Sequence, residues 1–389
     1  MESIHTSILK TLYISQSLSI ADISYSVGKS IPIVTKAVQQ LINDGYIINN
    51  GHRASTGGRR ANNYVINTQK IGEIVTVVID RYLVKISIYD FSNQLISSEI
   101  KLDINQLDDQ KKYKVIRDAL QKLLNENQNL NIISIGITMP GFVDSQTSVN
   151  NSYPTDSPIY NLPSQLEKEF GIKAYIENDS SAIAIAEKHF GKAKNSKHAL
   201  IINLTWGVGL GILVDNKLFR GNDGFAGEFS HIPLAEESKM CSCGKKGCLE
   251  VEASLESAID YIQESLNAGE ISNISSILET KNKSEILNVL LDAYNNGDQL
   301  TIHAIKKIGY MLGKGIATLI HILNPETIII SGIGAAFGKI LLPEIQSAIH
   351  IYCIPRLAQR TSIQISETNN IQNIATVCIA VLQNNNLIN

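Results

Sequence analysis

Two sets of short runs rich in β-branched residues constrain this chain more than any other feature. The first set comprises Ile74–Ile79, Val84–Tyr89, Leu95–Ile100, Ile132–Thr138 and Ala174–Ile176. The second begins with Leu200–Asn203 and Gly209–Val214 and returns at Thr327–Ile330. Helical patterns lie between them, at Lys114–Leu124, Ser180–His189, Leu255–Ala268, Ile286–Tyr294 and Gln299–Leu323. Strands alternating with helices in two similar halves predict an α/β body of two lobes, with the cleft between them as the site. The longest uncharged apolar stretch, Ala199 to Val214, is broken by glycines and is too short for a membrane span. Met1–Leu12 lacks a basic start followed by an apolar run, so a cytoplasmic protein without membrane insertion is expected. The Asn-rich tail near Asn384–Asn386 is expected to fray.

The segment before Glu73 has a different texture and a different charge. Residues 1–70 hold seven Lys/Arg against three acids, a net of +4, while the rest holds 27 against 34, a net of −7. That split excludes a generally basic nucleic-acid coat protein and leaves room for a local basic module. Three helical patterns fill the head. The first runs from His5 to Ile14, and the second opens at Ser19 with Asp22 three residues on, as in a capping box. Gly28 supplies a tight turn, and Ser30 is a suitable N-cap for the third, with Pro32 in its first turn. Ile31, Val34, Val38, Leu41 and Ile42 are expected to form the buried stripe of that third helix. Two strand-like pieces, Tyr46–Ile48 and Asn63–Ile66, flank a loop ending in Gly57-Gly58-Arg59-Arg60. The pattern is that of a helix-turn-helix with a β-hairpin wing over residues 1–69.

DNA contacts are expected from the polar residues of this head. Lys29 and Ser30 sit at the start of the third helix, and Thr35, Lys36 and Gln39 lie off its apolar stripe. Such side chains read base edges and phosphates in the major groove, while Arg59 and Arg60 suit a narrow minor groove. The plainer alternative is a small helical interaction domain whose cations merely stay wet.

The five cysteines fall unevenly, with Cys241, Cys243 and Cys248 together and Cys353 and Cys378 apart. Three thiols spaced C-x-C-x4-C, with His231 ten residues upstream, make a Cys₃His set suited to tetrahedral Zn²⁺. Gly244 and Gly247 permit the turns that gather the sulfurs. All four positions would be filled by protein, so the ion is expected to be structural rather than catalytic.

Together these residues resemble the ROK family of repressors, open reading frames and kinases, within the actin/hexokinase-like (ribonuclease H-like) fold. Glu228-Phe229-Ser230-His231 and Cys241-Ser242-Cys243-Gly244-Lys245-Lys246-Gly247-Cys248-Leu249-Glu250 are similar to the family's G-E-x-G-H and C-x-C-G-x-x-G-C-x-E run, with Ser230 in place of a glycine. Pro140-Gly141-Phe142-Val143-Asp144 resembles its P-G-x-V-D loop, and Glu177-Asn178-Asp179-Ser180-Ser181-Ala182 its E-N-D-A-x-A site. The resemblance implies a sugar-binding set of Asn178, Asp179, Glu228, His231 and Glu250. Asp179 falls at the position of the sugar-kinase base, and His231 would serve both sugar and zinc. Read without the resemblance, Asp179 is equally suited to capping the helix that follows.

One departure directs the functional reading. Family kinases carry D-x-G-G-T-K in the first strand pair, where bare backbone, Thr and Lys hold ATP phosphates. This chain has Asp80-Arg81-Tyr82-Leu83-Val84-Lys85. With that loop degenerate, no catalytic residue is expected, and the chain resembles the repressor branch that responds to xylose, glucose or N-acetylglucosamine. The expected domains are 1–69, a DNA-binding head; 70–177, a first lobe completed by a C-terminal helix at about 366–389; and 178–365, a second lobe. The implied partners are double-stranded operator DNA, a sugar or sugar phosphate as effector, and further copies in a homodimer or homotetramer. The alternatives are an ATP-dependent sugar kinase with a DNA-binding head, and a regulator that senses a protein partner.

Overall fold

The computed structural model describes residues 2–52, 62–235, 239–274 and 283–388. Arg59 and Arg60 lie outside these residues. The chain forms two compact units. The first contains Met1–Asp80, Val84–Glu177 and Asn373–Asn389; the second contains Arg81–Leu83 and Asn178–Gln372.

The first unit opens with helices α1 (Ile4–Ser15), α2 (Ile20–Val27) and α3 (Ile31–Asn43), then strands β1 (Ile47–His52) and β2 (Asn62–Ile66). Ser19 and Asp22 exchange bonds as a capping box at α2, and Gly28 takes the left-handed φ of 64° that its turn requires. Ser30 stands at the N-cap of α3, although its hydroxyl makes no capping bond. Val34, Ala37, Val38 and Leu41 are buried, as their spacing dictates. Two residues of the expected stripe depart from it: Ile42 is half-buried, and Ile31, the first residue of the helix, is 53% exposed. β1 and β2 pair antiparallel with Ile47 opposite Ile66, and Leu18 bridges to Tyr64, which fastens the helices to the hairpin.

After the short α4 (Thr68–Ile71), strands β3 (Glu73–Ile79), β4 (Leu83–Tyr89), β5 (Ile100–Asp103), β6 (Ile132–Met139) and β9 (Ala174–Asn178) form a sheet in the order β5-β4-β3-β6-β9. β3 and β4 run antiparallel, and β3 and β6 parallel. Helices α5 (Asp109–Glu126) and α6 (Leu162–Phe170) and a two-stranded ribbon, β7 (Val143–Asp144) with β8 (Val149–Asn150), complete this part. Val75, Val77, Ile86, Leu120, Leu123, Ile137 and Ile176 lie in its core. The expected strand at Leu95–Ile100 forms only at its end, as β5. Leu95 makes a single bridge to Tyr89 because the Asp90 carboxylate, which accepts from the Ser92 and Gln94 N–H groups, turns the chain there.

Helix Ile371–Gln383 belongs mostly to the same unit and lies tight on β6. A Cβ at Gly136 would meet the Thr376 carbonyl at 2.4 Å, and the Thr138 and Thr376 hydroxyls bond at 2.7 Å. The Asn-rich tail does not fray: Asn384 and Leu387 are buried, and Lys10 of α1 donates to the Leu382 carbonyl.

The second unit repeats the architecture. Helix α7 (Asp179–Phe190) precedes strands β10 (Ala199–Leu204), β11 (Val208–Val214) and β12 (Lys217–Leu218). With β13 (Thr327–Ser331) and β14 (Ser362–Ile365) they form a sheet in the order β12-β11-β10-β13-β14. Short α8 (Glu250–Ala253), α9 (Leu255–Asn267) and the helices Lys283–Asn295, Gln299–Leu323 and Gly338–Tyr352 surround it. Every residue of β10 and β13 is buried, as expected of strands covered on both faces. Among the described residues no helix is long and apolar enough to cross a membrane.

Candidate functional site

β9 delivers the chain to Asn178, where α7 begins. The Asn178 side chain caps that helix, accepting from the Ser180 and Ser181 N–H groups at 3.0 and 3.1 Å. Capping therefore falls to Asn178, and Asp179 takes the first helical position. Its Oδ1 accepts from the Ser180 N–H at 2.7 Å, and its Oδ2 from the Asn203 amide at 3.1 Å. A carboxylate in the first turn is favoured by the helix dipole and needs no other cation nearby. Asn203, at the end of β10, was not marked by any sequence pattern. Its amide also reaches the Ser180 hydroxyl at 3.1 Å, so it fixes the orientation of Asp179.

The β10–β11 hairpin packs directly on this helix. A Cβ at Gly209 would lie 1.9 Å from the Ser180 hydroxyl oxygen, and one at Gly211 2.3 Å from the Ala184 Cβ. These glycines are packing positions. Gly211→Val is expected to lower stability by about 1–3 kcal/mol or more through overpacking, measured by denaturant unfolding.

Glu228, His231 and Glu250 of the same unit join Asp179. Partial burial raises the Glu228 carboxyl above its usual range; His231 opposes this, while the Glu250 and Asp179 carboxylates add to it. Three carboxylates and an imidazole within electrostatic reach match what a polyhydroxylated ligand needs, since carboxylates accept from hydroxyls and the ring donates. Ser230, where a glycine was expected, is buried and turns its hydroxyl to Glu250 Oε2 at 3.4 Å. Of the five expected sugar residues, Asn178 and Asp179 both accept from N–H groups of the first turn of α7.

His231, Cys241, Cys243 and Cys248 place one ligand atom each within 4.8 Å of one another. Cys241 Sγ lies 3.5 Å from His231 Nδ1, and Cys243 Sγ lies 3.6 Å from Cys248 Sγ. Bonds of about 2.3 Å to a tetrahedral ion give ligand separations of about 3.8 Å, so the set fits a metal. Gly244 and Gly247 both take positive φ, 83° and 72°, in the turns that bring the thiols round. Burial and then the neighbouring thiols push Cys248 up to about 12, whereas the Lys245 N–H lowers Cys243. Thiols so crowded ionise together only around a cation. With Nδ1 on the metal side, His231 Nε2 faces Glu228 Oε2 at 3.6 Å, the arrangement in which a carboxylate orients a ligating histidine.

The loop at Asp80–Lys85 has a definite structure of its own. Its Arg81–Leu83 tip belongs to the second unit. The Tyr82 ring is buried there, edge-on to Trp206 at 5.4 Å between centroids, and its hydroxyl bonds Glu256. Arg81 forms an ion pair with the same Glu256 carboxylate. Where a phosphate loop offers bare backbone N–H groups, this loop offers an aromatic ring and a neutralised cation.

Known proteins resemble this chain over most of its length. The ROK family model matches residues 92–383. The xylose repressor of Caldicellulosiruptor bescii is 29% identical over 349 residues, covering 88% of this chain and 86% of that protein. The DNA-binding transcriptional dual regulator NagC of Escherichia coli K12 is 28% identical over 326 residues, covering 82% and 77%. A solved ROK-family transcriptional regulator, a homologue of the E. coli MLC protein, superposes with a TM-score of 0.76 at 25% identity over 98% of this chain and 95% of that one. A glucokinase from Streptomyces griseus, solved with glucose and AMPPNP, shares the fold with a TM-score of 0.68 at 23% identity, over 80% of this chain and 100% of its own. With three-quarters of its length matched by the family model, the chain belongs to the ROK family.

Proposed function

We propose that the protein is a sugar-responsive transcriptional repressor of carbohydrate-utilisation genes. The observation that carries this reading is the likeness to a ROK transcriptional regulator over 98% of the chain, head included. Residues 1–69 form a winged helix-turn-helix head that binds operator DNA in the cytoplasm. Lys29, Ser30, Thr35, Lys36 and Gln39 contact the major groove, and Arg59 and Arg60 the minor groove. Residues 70–177 with the C-terminal helix form the first lobe, and 178–365 the second. A sugar or sugar phosphate binds at Asp179, Glu228, Glu250, His231 and Asn178. A homodimer presents two heads to two half-sites, and sugar binding weakens their hold on DNA.

His231, Cys241, Cys243 and Cys248 hold a structural Zn²⁺, for which thiolate and imidazole are preferred ligands. The ion cross-links the segment that carries His231 and Glu250. His231 is thereby held with Nε2 available to Glu228 and to a sugar hydroxyl.

Footprinting on DNA upstream of the protein's own gene tests the reading. Two protected half-sites one helical turn or a multiple apart are expected, with protection lost on addition of one sugar. Absence of any protected site would overturn it.

Retention of Asp179 in a well-ordered first turn favours a second reading, a sugar kinase with a DNA-binding head. Tyr82 and the Arg81–Glu256 pair oppose it. ADP release with a sugar panel is expected to stay at background. Turnover at about 1–100 s⁻¹ would reverse the ranking.

A further inference from the structure

On the outer face of α3 the hydroxyl of Thr35 and the amides of Gln39 and Gln40 are engaged within the chain, while apolar groups stay in solvent. An open concavity of about 620 Å³ runs along it, lined by Ile31, Pro32, Thr35, Lys36, Gln39 and Asn43. The Thr35 hydroxyl donates back to the Ile31 carbonyl at 2.8 Å, which leaves its γ-methyl as the outward branch. The Gln39 amide donates to Asn43 Oδ1 at 3.1 Å, and Gln40 Oε1 bonds the His5 ring at 3.1 Å. Ile31 and Pro32 have no such engagement: both are exposed, Ile31 by 53%. Keeping a large aliphatic side chain at the start of a solvent-facing helix forfeits its burial energy unless something covers it.

Lys29 and Lys36 identify the class of partner. They flank the apolar strip, both exposed, in a head of net charge +4. Cations beside an apolar strip match a surface whose rim is phosphate and whose floor carries methyl groups. In DNA the one such group is the C5-methyl of thymine, which projects into the major groove and separates T·A from the other pairs.

We propose that this head reads thymine methyls: Ile31, Pro32 and the Thr35 γ-methyl cover one or two of them, while Lys29 and Lys36 hold the flanking phosphates. The proposal rests on the DNA-binding reading above and adds to it the chemical group that gives sequence preference. Apolar contact, rather than hydrogen bonds from Gln39, then supplies the discrimination at the N-terminal half of α3.

The test is a cycle of protein and DNA changes on the footprinted operator, at fixed salt. Each thymine of a half-site is replaced in turn by deoxyuridine, which removes only the methyl. Ile31→Ala and Thr35→Ser are measured beside the wild type; Ile31 is exposed, and Thr35→Ser keeps the hydroxyl, so both variants are expected to fold. At one or two positions deoxyuridine should weaken wild-type binding about three- to five-fold, the factor that burying one methyl supplies. Ile31→Ala or Thr35→Ser should weaken thymine operator by a similar factor and leave binding to the matching deoxyuridine operator unchanged. Equal wild-type affinity for thymine and deoxyuridine at every position would overturn the proposal and leave the DNA-binding reading standing. So would equal losses by the variants on both DNAs. Wild-type binding no tighter than to random DNA would overturn both.

Discussion

Asp179→Ala is expected to leave operator affinity within about two-fold of wild type and to abolish release by sugar. The α7 cap does not depend on this side chain, because Asn178 supplies it, while Asp179 accepts from Ser180 and Asn203. A carboxylate hydrogen-bonded to ligand hydroxyls contributes about 1.5–3 kcal/mol, so sugar affinity should fall about ten- to 150-fold. Glu228→Gln should act in the same direction, since it removes one acceptor charge from a site where Glu228, Glu250 and Asp179 already oppose one another. Calorimetric titration of the sugar, beside a DNA-binding assay of each variant, measures both quantities. A normal sugar response in Asp179→Ala would show that these carboxylates are not the effector site.

Loss of the metal should have the second large effect. Wild-type protein is expected to carry one zinc per chain, and Cys248→Ala to carry none. Structural zinc contributes about 10–16 kcal/mol of binding free energy in peptides that fold only around it. Here the segment also rests on the core through Phe229 and Leu249, so a smaller loss of about 4–5 kcal/mol is expected. For a unit of this size that corresponds to a Tm lower by about 10–15 °C. Cys353→Ala, at a buried cysteine outside the cluster, should keep its zinc. The sugar response should fall with the zinc, because His231 and Glu250 lie on the stapled segment. Metal analysis and thermal melts of the two variants decide the matter: wild type without zinc, or Cys248→Ala with an unchanged melt, would refute the site.

Much of this was legible in the sequence because the governing signals are local. The β-branched runs at Glu73–Ile79 and Val208–Val214, the Ser19–Asp22 box and the C-x-C-x4-C spacing are each read within about ten residues. What escaped depends on distant partners. Helix Gly338–Tyr352 was missed because it carries Pro343 inside it, which breaks the ordinary helix pattern. β14 is held as a strand by parallel pairing to β13 some 35 residues earlier; its four residues, Ser-Ile-Gln-Ile, alternate but make too short a run to mark a strand alone. Asn203 on Asp179 and Ser230 on Glu250 are contacts across more than nineteen residues, invisible to spacing. The exposed Ile31 shows the same limit from the other side. The helical period marked it as core, but towards the first residue of α3 burial reaches only as far as Val34.

In a sugar-responsive repressor, sugar and operator DNA oppose each other's binding through one chain. Linkage requires the two effects to be equal: the factor by which sugar weakens DNA binding is the factor by which DNA weakens sugar binding. The direct measurement is fluorescence anisotropy of the full-length protein on its own upstream DNA, titrated with free and phosphorylated sugars at one salt concentration. Specific binding that one sugar weakens is expected, by a factor that reappears when the sugar is titrated with and without operator. Specific binding that no sugar changes would contradict it and point to a protein as the signal.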